Sequence, residues 1–160
     1  MSSKARYFAV AALCAVVLCL AFPRIGTPAR AEDAPPAAGK KTICLFSVIH
    51  DTKDDLQSVS MALTLAGFSL DEGRDVVLFF NVRGVNVPTK SLAADLSFKG
   101  AKPVKTQLEE LIKRGAKVHV CPVCMKQLDV KAEDLVEGAV VTDKPKLFAN
   151  IGADTVTFTY

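Results

Sequence analysis

Lys117-Val118-His119-Val120-Cys121-Pro122-Val123-Cys124 is the stretch of sequence that decides the fold. Its first four residues predict a short buried strand, and Pro122 is typical of the first residue of a helix. The strand therefore runs directly into a helix, with Cys121 at the junction and Cys124 one turn further on. A thiol at such a junction meets backbone N–H groups and the positive end of the helix dipole, which favour the nucleophilic thiolate. The sequence predicts a reactive cysteine pair in which Cys121 is the nucleophile.

Apolar strands and amphipathic helices alternate on both sides of this stretch. Further strands are predicted at 42–49, 76–82, 138–141 and 155–160, and helices at 52–71, 103–114, 122–128 and 143–148. This alternation predicts an α/β fold with a mostly parallel five-stranded sheet and helices on both faces. The last strand alternates apolar residues with threonines, which indicates a sheet edge or a subunit contact. A short helix is also predicted at 91–96, within the long segment after the second strand.

Polar residues follow the predicted strands at their carboxyl ends. His50 follows the first strand, Asn81 and Arg83 follow the second, and Cys121 follows the third. In a parallel sheet these ends meet at one edge, where ligands and reactive groups gather. His50 is a candidate base or hydrogen-bond partner, or simply a strand-end residue. Arg83 is a candidate to stabilise a thiolate or an anionic substrate, or it is solvated, and Asn81 is a further candidate supporting residue.

Two other residues with reactive side chains are predicted to be structural. Cys44 lies in an apolar run and is expected to behave as a small buried hydrophobe. His119 lies within its strand and is expected to alternate away from the cysteines. The sequence contains no glycine-rich phosphate loop, and its histidines and cysteines lack the spacing of a closed zinc site, so we expect neither a cofactor nor a metal.

The first 31 residues carry the pattern of a secretory signal peptide. Lys4 and Arg6 precede an apolar run at 7–22, and Ala29-Arg30-Ala31 is the small-x-small pattern of a cleavage site. The alternative is an uncleaved N-terminal anchor, but the apolar run is short for a membrane span, which takes about 20 residues. The sequence predicts an exported, periplasmic protein without stable membrane insertion after cleavage. Residues 32–40 are expected to be a flexible lead-in, and residues 41–160 the folded domain.

Cleavage would change both the charge and the cysteine count. Four of the 20 Lys and Arg residues lie before the cleavage site, which leaves 16 basic against 17 acidic residues. This near-neutral balance, without a basic cluster, predicts no nucleic-acid partner. Of the five cysteines, Cys44, Cys121 and Cys124 remain, which is too few for a disulfide scaffold.

The segment 108–140 carries a family resemblance. It reads Leu-Glu-Glu-Leu-Ile-Lys-Arg-Gly-Ala-Lys-Val-His-Val-Cys-Pro-Val-Cys, followed by Leu-Val-Glu-Gly-Ala-Val at 135–140, and it resembles the DsrE/DsrF-like family. The resemblance extends more loosely back to residue 43. It implies a flavodoxin-like three-layer sandwich, assembly into homotrimers or hexamers, and sulfur carriage on a cysteine directly after the third strand. Cys121 matches that cysteine, and Cys124 looks like a second cysteine that some members have.

Three functions compete for the cysteine pair. In the first, Cys121 takes sulfur from a persulfide or polysulfide donor, holds it as a persulfide and yields it to a thiol acceptor protein, with Cys124 as a candidate resolving thiol. In the second, the pair forms a dithiol–disulfide oxidoreductase of the cell envelope. In the third, the protein is a non-enzymatic oligomeric module that binds thiols or metal. Loss of Cys124 separates the first two, because only the oxidoreductase needs both thiols.

Overall fold

A parallel five-stranded sheet is the centre of the computed structural model, which describes residues 41–160. The strand order is β4-β3-β2-β1-β5, and every neighbouring pair is parallel. The strands are β1 Ile43–Val48, β2 Asp75–Phe80, β3 Lys117–Val120, β4 Ala139–Val141 and β5 Thr155–Thr159. The α/β fold and the parallel sheet predicted from the sequence are confirmed. The threonine-rich last strand is at an edge, next to β1, as its alternation predicted.

Four α-helices and two short 3-10 helices connect the strands. The α-helices are α1 Leu56–Asp71, α2 Val104–Lys113, α3 Pro122–Gln127 and α4 Lys144–Phe148, and the 3-10 helices are Val82–Asn86 and Ala132–Asp134. Helix α1 begins later than predicted, because Asp51 first caps a separate turn by accepting the N–H groups of Lys53 and Asp54, both at 2.9 Å. Asp55 then caps α1 by accepting the Ser58 N–H at 2.9 Å.

The main apolar core lies on one face of the sheet. Cys44, Phe46 and Val48 on β1 belong to the same buried cluster as Val59 and Leu63 of α1. Alternation along β1 sends Leu45 and Ser47 to the opposite face, where both are only partly buried. On that face the chain directly after α4 covers β3, because the Asn150 side chain binds Lys117 and His119. Helical segments therefore flank the sheet on both faces, but unequally.

The predicted helix at 91–96 is wrong. Residues 87–103 contain turns, bends and one isolated bridge, and no helix. The Lys90 N–H donates to the Asp134 carbonyl at 2.8 Å, and Thr89 forms an isolated antiparallel bridge with Leu135. Within 91–96 the Leu92 N–H donates to the Thr89 carbonyl at 3.2 Å and the Leu96 N–H donates to the Ala93 carbonyl at 3.5 Å. These bonds span three residues, as in turns, and not the four residues of an α-helix.

The predicted signal peptide and lead-in lie outside the described residues. Across 41–160, none of the helices combines the length and the apolar character that a membrane crossing requires.

Candidate thiol site

Cys121 occupies the junction between β3 and α3, as the sequence predicted. Its N–H donates to the Phe80 carbonyl at 2.9 Å, which holds it beside the end of β2. Its backbone is extended, at φ −71° and ψ 115°, and its side chain makes no capping hydrogen bond to α3. The first helical residue, Pro122, has no N–H to offer, and α3 is only six residues long. The helix N-terminus therefore contributes less to the thiolate than the sequence suggested, while the partly exposed Cys121 side chain remains accessible.

Cys124 is bound by a backbone group from a distant part of the chain. The Val82 N–H donates to the Cys124 Sγ at 3.1 Å, across a sequence separation of 42 residues. Both Cys121 and Cys124 are free thiols and both pack against the edge of the core. Within residues 41–160 the two sulfurs are thus held differently, because a backbone N–H donates to the sulfur of Cys124 and none donates to that of Cys121.

Burial and a side-chain interaction with Cys121 raise the pKa of the Cys124 thiol above its ordinary value. The Val82 N–H acts in the opposite direction and lowers this pKa, because it donates to the charged form. The raising effects are the larger, so Cys124 keeps its proton to a higher pH than an ordinary cysteine. Cys124 is therefore held as the protonated thiol.

The donor to Cys124 comes from a strained backbone. Val82 has φ 49°, in the left-handed region that a β-branched residue rarely adopts. It opens the 3-10 helix Val82–Asn86, hereafter the 82–86 turn. The Gly84 N–H donates to the carbonyls of Ile49 at 3.2 Å and Asn81 at 2.8 Å, which attaches the turn to the end of β1. A Cβ on Gly84 would lie 2.1 Å from the Val48 carbonyl oxygen, so only glycine fits there.

A cluster of charged side chains also binds the 82–86 turn, on its solvent side. Arg83 forms an ion pair with Asp54, and His50 Nδ1 lies 2.5 Å from Asp54 Oδ2. The Arg83 guanidinium, and then the His50 ring, hold the pKa of the Asp54 carboxyl below its ordinary value. Asp54 therefore remains ionised well into the acid range and keeps its two partners.

The predicted supporting residues reach the correct sheet edge but do not touch the sulfurs. Asn81 turns back toward β1, where its Nδ2 donates to the Ser47 Oγ at 2.9 Å. Among residues 41–160, the polar partner recorded for His50 and Arg83 is Asp54, and neither side chain hydrogen-bonds to a cysteine. Arg83 belongs to the 82–86 turn, whose first residue, Val82, binds Cys124 through its N–H.

Sequence reasoning missed Val82, Gly84 and Asp54. Val82 binds through its backbone, which no side-chain pattern reveals, and Gly84 belongs to no glycine-rich motif. Asp54 directly precedes Asp55, the residue that caps α1. An available signal was the glycine two residues after a valine at a strand end, because a backbone approaching another strand closely requires glycine.

The two residues predicted to be structural are so. Cys44 is 7% exposed in the core. His119 is 4% exposed, with its Nδ1 3.1 Å from the Thr142 Oγ1 and its Nε2 3.3 Å from the Asn150 Nδ2. Burial, together with the charges of Lys117 and Lys146, lowers the pKa of His119 below its ordinary value. It stays neutral and away from the cysteines.

The thiols lie on an open surface. Val82 is 55% exposed and Val123 is 63% exposed, so two apolar side chains flank the pair. A cavity of about 520 Å³ lies at the same sheet edge, lined by Asp51, Asn86, Thr89 and Asp134 among others, and neither cysteine lines it. In the described part of the chain, no three His, Cys, Asp or Glu residues are grouped as metal ligands. The arrangement suits exchange of sulfur or electrons with a molecule that arrives from solvent.

Comparison with known proteins gives a family and a fold. Residues 40–156 match the sequence model of the DsrE/DsrF-like family. The structure is similar to the ychN protein from E. coli, with a TM-score of 0.60 and 17% identity over 76% of this chain and 100% of that one. It is also similar to MTH1491 of Methanobacterium thermoautotrophicum, a protein of unknown function, with a TM-score of 0.54 and 14% identity over the same shares. Among proteins with curated descriptions, none matches the sequence.

Proposed function

Because the chain belongs to the DsrE/DsrF-like family, we propose that it carries sulfur as a persulfide on Cys121. The observation that supports this most is the asymmetry of the pair. Both cysteines are partly exposed, but the Val82 N–H binds the sulfur of Cys124, whose raised pKa keeps it protonated, and Cys121 stands at the end of β3. A carrier needs one accessible nucleophile, and Cys121 meets that requirement.

The loading step is a sulfur transfer between thiols. The Cys121 thiolate attacks the outer sulfur of a donor R–S–SH, the S–S bond of the donor breaks, and RS⁻ leaves with the electron pair. The product is Cys121–S–SH. In delivery, the thiolate of an acceptor protein attacks the outer sulfur of this persulfide, and Cys121 leaves as a thiolate. Each step exchanges one S–S bond for another, and no external oxidant is needed.

Cys124 provides a second outcome for the loaded state. Its thiolate attacks the inner sulfur of the Cys121 persulfide, forms the Cys121–Cys124 disulfide and releases HS⁻. The carrier is then emptied, and a dithiol reductant must regenerate the two thiols. Cys124 thus acts as the resolving thiol.

The test is to load the purified protein with polysulfide and to measure its intact mass. Wild type is expected to gain the mass of one sulfur atom at Cys121, and Cys121→Ser is expected to gain none, because the attacking sulfur is absent. Cys124→Ser is the matched control, one helical turn away, and is expected to keep the added sulfur longer than wild type. Labelling of Cys121→Ser to the level of wild type would contradict the proposal.

A dithiol–disulfide oxidoreductase is the second candidate, favoured by the side-chain interaction between the two cysteines. It predicts that the pair reduces or oxidises a model disulfide with turnover, and that loss of either cysteine abolishes turnover. Sulfur carriage by Cys121 instead tolerates the loss of Cys124. Turnover assays on the same two serine variants therefore separate the candidates.

Export and assembly complete the proposal. The leader at 1–31 predicts a periplasmic protein, and the same intact-mass measurement on protein recovered from the periplasm gives the cleavage site and the sulfur load together. The partners are a persulfide or polysulfide donor and a protein thiol acceptor. The family resemblance further implies a homotrimer or a hexamer.

A further inference from the structure

We propose that the Val82 N–H binds the sulfur of Cys124 as a thiolate during the resolving step, and that Gly84 and the Arg83–Asp54 ion pair position this N–H. The inference rests on the proposed function, because the Cys124 thiolate has a task only if Cys124 attacks a sulfur atom. It assigns Gly84 and Asp54 as positioning residues, which act on the thiol through the 82–86 turn.

The first support is the geometry of the donor. The Val82 N–H lies 3.1 Å from the Cys124 Sγ, and Val82 adopts φ 49°. A β-branched residue in this region carries backbone strain, which persists only where surrounding contacts hold the chain. In a relaxed turn Val82 would return to negative φ and its N–H would change direction. The contacts that maintain the strain therefore also maintain the hydrogen bond to sulfur.

The second support is that the 82–86 turn is held at two points. On the inner side, the Gly84 N–H binds the Ile49 and Asn81 carbonyls, and the absence of a Cβ lets the turn approach the Val48 oxygen. On the outer side, Arg83 binds Asp54, whose own N–H is fixed by the Asp51 carboxylate at 2.9 Å. Both points connect the turn to the chain that follows β1, so the position of the Val82 N–H depends on β1 as well as on β2.

The third support is the change that loading makes around Cys124. Before loading, burial and the neighbouring Cys121 thiol favour the protonated form of Cys124, and the Val82 N–H opposes them. Once Cys121 carries a sulfur atom as Cys121–S–SH, its inner sulfur is bonded to the outer one and bears no negative charge. The repulsion on Cys124 weakens while the Val82 N–H remains. Loading therefore favours the Cys124 thiolate at the moment when it is needed to attack.

One further thiol and two basic residues lie near Cys124 along the chain or beside its hydrogen-bond donor. Cys121 precedes it at the end of β3, Lys126 follows it on α3, and Arg83 is adjacent to Val82 in the turn. Arg83 is the group that matters for the experiment, because its positive charge would also favour a thiolate. A test must therefore separate the position of the turn from the charge of Arg83.

Asp54→Ala separates the two. The substitution keeps the Arg83 charge and removes the carboxylate that holds the turn. If the position of the turn controls Cys124, the thiol loses the Val82 N–H and its pKa rises. If the charge of Arg83 controls Cys124, the unpaired guanidinium lowers the pKa of the thiol. The measurement is the rate of iodoacetamide alkylation of Cys124 against pH, in protein that carries Cys121→Ala, so that Cys124 is the one partly exposed thiol left within residues 41–160.

We expect Asp54→Ala to slow this alkylation at pH 7 by roughly tenfold and to move the midpoint of the pH profile upward, as loss of a hydrogen bond to a charged group implies. Asp71→Ala is the matched control, because Asp71 is paired with Arg114 at the other end of α1. Gly84→Ala is the second variant and should shift the profile in the same direction if it folds. An unchanged profile in folded Asp54→Ala, or a faster reaction, would overturn the inference.

The result that would refute the proposed function is different from the one that would refute this inference. Alkylation of Cys124 needs no sulfur donor, so the shift in its profile can be measured in a protein that never accepts sulfur. Absence of a persulfide on Cys121 would refute sulfur carriage and leave the assignment of Val82, Gly84 and Asp54 to a dithiol–disulfide role.

Discussion

At the scale of single residues, the site depends on contacts that leave no room for substitution. Gly84 is the sharpest case, since a Cβ there would lie 2.1 Å from the Val48 carbonyl oxygen and 2.8 Å from its carbon. Real side chains do not approach a backbone this closely, so the turn or β1 must move. The same residue that closes the packing at the end of β1 therefore controls the direction of the Val82 N–H.

We expect Gly84→Ala to lower the free energy of unfolding by about 3 kcal/mol, the upper part of the range for forcing an extra methyl group into a packed site. Urea unfolding followed by circular dichroism measures the change. Gly152→Ala is the control, because nothing lies within 4 Å of the added Cβ and its φ is not in the left-handed region. Equal stability of the two variants would show that the turn adjusts freely.

At the scale of elements, β3 has two faces with two different tasks. One face enters the core through Val118 and Val120, and the strand ends at the cysteine pair. The other face carries His119 into a buried network that reaches the chain around α4. Asn150 donates to the Nε2 of His119, so the Nδ1 carries the proton and donates to Thr142, whose hydroxyl donates to the Asp143 carbonyl. Protonation of the His119 Nε2 would place its N–H against the Nδ2 amide of Asn150, which is also a donor.

This network predicts a loss of stability in mild acid. Burial and the charges of Lys117 and Lys146 lower the pKa of His119 in the folded protein, whereas the unfolded chain keeps an ordinary value of about 6.5. The unfolded state therefore binds the proton first, and the free energy of unfolding falls as the pH drops below about 6.5. Above pH 7 the His119 ring is neutral in both the folded and the unfolded state, so this residue no longer makes the free energy of unfolding depend on pH.

We expect His119→Gln to show a smaller loss between pH 7 and pH 5 than wild type, measured by urea unfolding at each pH. His50→Gln is the control, since His50 lies at the surface beside Asp54 and should leave the acid-side loss in place. Parallel pH profiles for wild type and His119→Gln would show that another group is responsible.

At the scale of the whole molecule, the β5 edge of the sheet carries exposed apolar side chains that suit a subunit contact. On β5, Val156 is 48% exposed and Phe158 is 36% exposed, although the Phe158 ring stacks on Phe46 with centroids 5.0 Å apart. Beside them a groove of about 300 Å³ is lined by Leu65 and by Phe68, which is 58% exposed. Apolar side chains on an unpaired edge strand are typical of a surface that another chain covers.

If assembly uses this edge, Val156→Glu should convert the proposed homo-oligomer into smaller species, because a charge would be buried in the contact. Size-exclusion chromatography with light scattering gives the mass. Val123→Glu is the matched control, at a valine that is 63% exposed beside the cysteines. A monomeric wild type would contradict the assembly, and an oligomeric Val156→Glu would place the contact elsewhere.

The sequence by itself determined the features that depend on local order along the chain. The alternation of apolar strands and helices was enough to predict the parallel sheet, and the run from Lys117 to Cys124 was enough to predict the strand, the junction and the pair. Burial of Cys44 and the turning away of His119 followed from their places within strands. These features need only the period of a strand or helix and the identity of neighbouring residues.

Tertiary structure alone decided which hydrogen bonds the cysteine pair receives. The Val82 N–H meets a sulfur 42 residues away, Gly84 approaches a neighbouring strand, and Arg83 finds Asp54 on the chain after β1. A backbone donor has no signature in the sequence, and an ion pair between distant segments depends on which strands become neighbours. The sequence could therefore locate the cysteine pair and predict Cys121 as its nucleophile, whereas the backbone hydrogen bond that distinguishes Cys124 exists only once β1, β2 and β3 lie side by side.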